Sequence, residues 1–271
     1  MANPTELTLP TDKIRAYVAE ATGHIVFNNP ERHNAVSLEM WDAVEIALST
    51  FQEDDTVRVV VLSGAGGKSF VSGADISKFE SERGSKEATE HYNARLKVVY
   101  DTIENYAKPT IAMVNGYCIG GGLNLAACTD MRIASAKSKF AMPAAKLALG
   151  YPFDAIRRLV NAVGAGAAKQ LMFTAKSIDA ETALRLGLLQ EVLPDDKLVA
   201  RVDELAATIS GNAPMTVRAM KFIATQVMHR DPEARDFARC DDMVAACFAS
   251  EDYVEGRKAF MEKRKPDLKG R

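Results

Sequence analysis

The chain has 271 residues, 47% of them hydrophobic and 26% charged, with a formal net charge of −2. That suits a globular protein with a full core, in one large domain or one domain with an appendage. The near-balance of charge provides no basic field for nucleic acid or an anionic membrane, and no apolar run approaches the ~18 residues of a spanning helix.

Residues 14–27, "IRAYVAEATGHIVF", read as two short strands with "ATG" as the turn signal between them. Apolar residues then recur at Leu38, Trp41, Val44, Leu48 and Phe51, which predicts a helix with Ser37 as its N-cap. "VRVVVL" (57–62) has the β-branched character of a strand buried on both faces. A Gly/Ser-rich loop, "SGAGGKSFVSGAD", and a polar helical stretch over 76–106 follow. Pro109 opens a second buried strand (110–114), a triple glycine leads into a helix over 121–128, and "MRIAS" (131–135) reads as a third core strand. From about residue 155 the pattern is nearly all helical, with Gly211 as a C-cap and one or two charged amphipathic helices at the end. Strands alternating with helices predict an α/β core with parallel strands over 1–200, followed by a helical region over 201–271.

The familiar motifs fail on spacing. A P-loop in "SGAGGKS" needs glycine at Leu62, and a dinucleotide fingerprint starting at Gly116 needs glycine at Cys118. A nucleophile elbow around "VSGAD" needs glycines at Phe70 and Ala74. His24, His33, His91 and His229 show no metal-ligand spacing, so no metal is expected. Cys118, Cys128, Cys240 and Cys247 form no CxxC pair, and "MANPTELTLP" has neither a basic n-region nor an apolar h-region. Together these predict a reducing, cytoplasmic setting without membrane or nucleic-acid partners. What remains is two small-residue loops, "SGADI" (72–76) and "IGGGLN" (119–124). Small residues leave the backbone N–H groups of Ala74 and Gly121 uncovered, and two such donors converging form an oxyanion hole. Alternatively the glycines serve tight turns or close packing.

"SFVSGADI", "KPTIAMVNGYCIGGG", "FAMP" with "LGYP", "FTAKSIDAETALRLGLLQEVLP" and "AFMEKRKP" occur in the order and spacing of the enoyl-CoA hydratase/isomerase (crotonase) family. The chain resembles that family over roughly residues 14–268. The resemblance implies a crotonase-like spiral of ββα units, a helical C-terminal trimerisation region, and homotrimers that pair into hexamers. It implies an acyl-CoA substrate, with coenzyme A part of the substrate rather than a separate cofactor. By the same match Ala74 and Gly121 supply the oxyanion N–H groups. Arg32, Ala35, Asp75 and Ile76 border the nucleotide end of CoA, and Phe260 and Lys263 reach it, in some members from a neighbouring subunit. The competing reading of the last two is an amphipathic helix with a solvated basic face.

The chain departs from the family where hydration needs two glutamates: the matching positions are Asn124 and Ala144. An asparagine amide holds a water but takes no proton at neutral pH, and alanine does neither. Isomerases of the family use one acidic residue, and Asp154 is the nearest candidate. It stands equally as a helix N-cap or an ion-pair partner of Arg157 or Arg158. Tyr151 either donates from its hydroxyl or shapes the pocket, and Lys146 reads as a surface charge. The expectation is therefore an acyl-CoA enzyme that stabilises a thioester enolate with isomerase-like or altered chemistry. Hydrolase, decarboxylase and C–C lyase activities stand as alternatives, as does a non-catalytic acyl-CoA-binding protein.

Overall fold

The computed structural model describes residues 5–229 and 231–271; the first four residues of "MANPTELTLP" lie outside the described residues. The chain opens with β1 (Thr5–Glu6), β2 (Ile14–Ala19), β3 (Thr22–Phe27), α1 (Leu38–Glu53), β4 (Val59–Gly64) and β5 (Ser69–Val71). Then come α2 (Phe79–Arg83), α3 (Lys86–Glu104), β6 (Thr110–Val114), β7 (Tyr117–Ile119), α4 (Gly121–Cys128), β8 (Met131–Ser135) and β9 (Lys139–Ala141). After α5 (Phe153–Thr174) follow β10 (Ile178–Asp179), α6 (Ala180–Arg185), β11 (Glu191–Leu193) and α7 (Leu198–Ser210). The chain closes with α8 (Pro214–Met228), α9 (Phe237–Ala249) and α10 (Glu251–Met261).

Two sheets result, ordered β1-β2-β3-β4-β6-β8-β11 and β10-β9-β7-β5. From β3 to β11 the first sheet is parallel; the second is parallel across β5, β7 and β9. The chain leaves one strand in each sheet and then a helix, repeatedly: β4-β5-α2/α3, β6-β7-α4, β8-β9-α5. This is the ββα spiral. Its second sheet was not legible in advance because strands of three residues carry no period to read. "SGAGGKSFVSGAD", read as a loop, contains one of them, β5. The helical pattern beyond 155 likewise conceals β10 and β11.

The expected two-faced burial of the central strand is explicit. Val60 and Leu62 face one core with Phe27, Trp41, Leu48 and Phe51, while Val59 and Val61 face a second with Ile111, Ile133, Leu198 and Val202. Alternation with period two sends successive side chains to opposite faces, so both faces must be covered. The second is covered by α7. The first hairpin turns on Glu20 and Ala21 rather than on "ATG". Position 23, within β3, suits glycine because a β-carbon there would sit 2.7 Å from the Phe51 ring. Ser37 occupies the N-cap position of α1 without a side-chain cap bond; the Glu82 carboxylate accepts from Leu38 N at 3.0 Å instead.

Lys108, fully buried, ties the end of α1 to the core. Its Nζ donates to the carbonyls of Phe51 (2.5 Å) and Asp54 (2.7 Å), among the carbonyls a helix leaves unsatisfied at its C-terminus. Burial and the nearby Arg218 lower its pKa from 10.5 to about 8. Below about 8 both folded and unfolded chains hold this proton. Between about 8 and 10.5 the unfolded chain holds more, so this group makes stability rise with pH across that window. Denaturant unfolding from about pH 7.5 to about pH 9.5 is expected to show the rise, and Lys108→Met to lack it.

Candidate active site

The first glycine loop is held by a single parallel bridge between Val36 and Ala74. Val36 N donates to the Gly73 carbonyl (2.9 Å) and Asp75 N donates to the Val36 carbonyl (3.0 Å). A parallel bridge of this kind uses the peptide groups flanking Ala74, so Ala74's own N–H faces away from Val36. The second loop leaves β7 through Gly120, whose φ of 56° and ψ of −113° favour a residue without a β-carbon. Gly121 then opens α4, where first-turn N–H groups lack a helical acceptor. Among the described residues neither Ala74 N nor Gly121 N donates to a protein acceptor.

The loops abut. A β-carbon built on Gly73 would lie 3.8 Å from Gly121 N, and one built on Gly121 would lie 3.7 Å from the Gly73 Cα. Behind them α4 sits directly on β5, where a β-carbon at Gly122 would fall 2.0 Å from the Val71 carbonyl oxygen. Two unused peptide donors thus stand side by side, one of them at the positive end of a helix.

Polar side chains collect around these donors. The Tyr100 hydroxyl donates to the Gly121 carbonyl at 3.2 Å, and the Tyr151 hydroxyl would lie 3.6 Å from a β-carbon on Gly120. Asn124 is buried in α4, its amide beside Tyr100, and among the described residues its Oδ1 has no hydrogen-bond partner. Burial raises the Tyr151 pKa to about 12 and the Tyr100 value well above its ordinary 10.0. Both hydroxyls therefore stay protonated at neutral pH. Pro143 packs against Gly120, which brings the turn containing Ala144 to the same place. The thiols nearby offer no nucleophile, since burial pushes Cys118 upward and Cys128 up to about 12.

Asp154 lies in an ion network at the start of α5. Its carboxylate faces Lys97 Nζ (3.4 Å) and Arg157 Nε (3.5 Å), while Arg157 and Arg158 share Glu104 and Arg158 also holds Asp101. Burial works to raise its pKa, but Lys97 and Arg157 prevail and hold it below the usual carboxylate range. Among the described residues no hydrogen bond joins Asp154 to Asn124, Tyr151 or the glycine loops. The 29–36 turn, clamped by the buried Asn34 donating to the carbonyls of Ala65 and Ser69, meets the first loop where Val36, next to Ala35, bridges to Ala74 and the Arg32 carbonyl accepts from Ser72 Oγ. Asp75 accepts from Ser77 N and Oγ, and Ile76 is exposed at the mouth of the loop. Phe260 is exposed in the last turn of α10, and Lys263 is exposed in the turn just beyond it. The place of Tyr100 beside Gly121 carries no local mark in the sequence, because an aromatic residue at helical spacing reads equally well as core.

The enoyl-CoA hydratase/isomerase family model matches residues 18–271. The chain is 37% identical to a crotonyl-CoA hydratase from Syntrophomonas wolfei over 244 residues, 90% of this chain and 93% of the relative. It is 36% identical to a short-chain-enoyl-CoA hydratase from Clostridium acetobutylicum, over 89% of this chain and 91% of that one. The fold superposes on the crystal structure of an enoyl-CoA hydratase/carnithine racemase from Magnetospirillum magneticum with a TM-score of 0.91 at 31% identity. That superposition covers 96% of this chain and 97% of the other.

Proposed function

The chain belongs to the enoyl-CoA hydratase/isomerase family, and from that premise we propose that it stabilises an acyl-CoA enolate in a backbone oxyanion hole. The single observation that carries this is the pair of adjacent, unengaged N–H groups of Ala74 and Gly121. Preformed donors aimed at a thioester oxygen gain strength as its charge develops, and the α4 N-terminus adds to the same field. The reading calls on no cofactor beyond the CoA that the substrate carries, whose nucleotide end would lie along Arg32, Ala35, Asp75 and Ile76.

Proton handling differs from two-carboxylate hydration. Asn124 and Ala144 hold the positions of the usual glutamates, and neither takes a proton at neutral pH. In our reading Asn124 Oδ1, without a partner among the described residues, accepts from a water, and the neutral Tyr151 hydroxyl donates to it or to the substrate. Asp154, paired with two cations, serves α5 and its neighbours rather than the reacting carbon. In heavy water, mass spectrometry on a panel of acyl-CoA thioesters is expected to find deuterium at the alpha or gamma carbon. Tyr151→Phe should slow that exchange about 100-fold or more, and Asp154→Asn by less than about threefold. The reverse ranking would return the proton to Asp154. Acyl-CoA binding without exchange on any thioester would favour a binding protein, the second reading that the missing carboxylates support. Crotonyl-CoA hydration at ordinary hydratase rates would overturn the altered chemistry.

The C-terminal helices support self-association as a trimer or a dimer of trimers. Phe260 is 82% exposed, Met261 80% and Phe248 62%, beside a groove of about 760 Å³ lined by Met215, Met220 and Val244. So large an apolar face on one chain marks an interface. In solution the particle mass is expected at three or six times 29.5 kDa, which would bring Phe260 and Lys263 to a neighbour's site. A monomer at micromolar concentration would refute it.

A further inference from the structure

Gly121 and Asn124 stand three positions apart in α4, on one face of the helix, and a single phenol from α3 serves both. The Tyr100 hydroxyl donates to the Gly121 carbonyl at 3.2 Å and is also hydrogen-bonded with the Asn124 side-chain amide. The Trp41 ring packs edge-on against the phenol, with 5.3 Å between ring centroids, and fixes its place. Tyr100 is 6% exposed and Asn124 4%. Buried as it is, Asn124 Oδ1 has no partner among the described residues.

A phenol hydroxyl has one proton to give. Tyr100 gives it to Gly121, so toward the amide its oxygen offers only lone pairs, and only an N–H of Asn124 can meet them. Nδ2 therefore turns to Tyr100 and Oδ1 turns away from it. The opposite flip would set two oxygens face to face with no proton between them, and would forfeit one hydrogen bond, a preference on the order of tenfold. The two flips have nearly the same shape, so packing does not choose between them; the hydroxyl does. The choice matters to a water bound there. A water that donates to Oδ1 keeps its lone pairs for the substrate, whereas a water held by Nδ2 spends one of them on the amide.

We propose that Tyr100 is a positioning residue: it orients the Asn124 amide with Oδ1 free, so that position 124 works as a hydrogen-bond acceptor for a water beside the oxyanion loops. This role rests on the acyl-CoA reading and deepens it. Tyr100→Phe keeps the ring and removes the hydroxyl. With crotonyl-, butyryl- and hexanoyl-CoA, deuterium exchange in heavy water reads the chemistry of the variant, calorimetry its affinity and a thermal melt its fold. Exchange is expected to slow about tenfold while affinity stays within about threefold. In an Asn124→Ala background, with no amide left to orient, the same substitution should change the rate less than about twofold. That comparison separates orientation of Asn124 from support of the Gly121 carbonyl, which Asn124→Ala leaves in place. No loss in the first background, or an equal loss in both, overturns the proposal while the acyl-CoA reading stands. Binding without exchange also overturns it, and failure of all three thioesters to bind removes that reading with it. A crystal structure of the unaltered protein is a test that needs no variant. An ordered water is expected on the amide atom turned away from Tyr100, and a protein donor in that place overturns the assignment.

Discussion

Gly121→Pro is expected to keep the fold and lower kcat on any thioester substrate by about 10²–10³-fold, the usual cost of one oxyanion donor. Position 121 is the first residue of α4, where proline is well tolerated because its missing N–H has no helical partner and its φ suits a helix start. Gly120 before it has the mirror-image extended backbone that glycine adopts freely, so the restriction before proline is mild there. One contact needs relief: a β-carbon at 121 would sit 3.2 Å from the Tyr100 hydroxyl. The variant is therefore compared in a Tyr100→Phe background. Circular dichroism and a thermal melt report the fold, and steady-state kinetics report the donor. A variant that stays folded and turns over within about threefold of its parent would remove Gly121 N–H from the chemistry.

Gly122→Ala should act on stability instead. Its added β-carbon would meet the Val71 carbonyl oxygen at 2.0 Å and the carbonyl carbon at 2.7 Å, both in the backbone of β5. No rotamer relieves such a contact, so α4 must lift from the strand that seats it. The expected cost is about 3 kcal/mol or more, and a fall in melting temperature of roughly 6–12 °C. Gly150→Ala is the control: a β-carbon there meets nothing within 4 Å, and its melting point should stay level or rise slightly. Equal melting of Gly122→Ala and the parent would mean that α4 does not sit against β5 as described.

Much of the layout was legible in order of occurrence. Val59–Leu62 announced a strand covered on both sides, and the two cores on its faces follow from that alternation. The glycines of "SGADI" and "IGGGLN" announced backbone placed against backbone, and Asn124 and Ala144 are plainly residues without a carboxylate. The second sheet was not legible, because β5, β7 and β9 have three residues each and are strands only by virtue of one another. Asp154 could be read as a base, a cap or an ion-pair partner, and the ion pair it makes with Lys97, 57 residues away, was not legible locally.

By itself the sequence determined the periods, the places where only a small residue fits, and the absence of a carboxylate at 124 and 144. These are properties of each residue and its near neighbours, set by sterics and side-chain chemistry. Only the tertiary structure decided which groups meet. It laid Gly73 against Gly121, seated α4 on Val71, and brought the Tyr100 hydroxyl to Gly121 and the Tyr151 hydroxyl to Gly120. Such meetings join residues tens of positions apart, and the packing of α1, α3 and α4 around the sheets brings them together; local pattern carries no record of it.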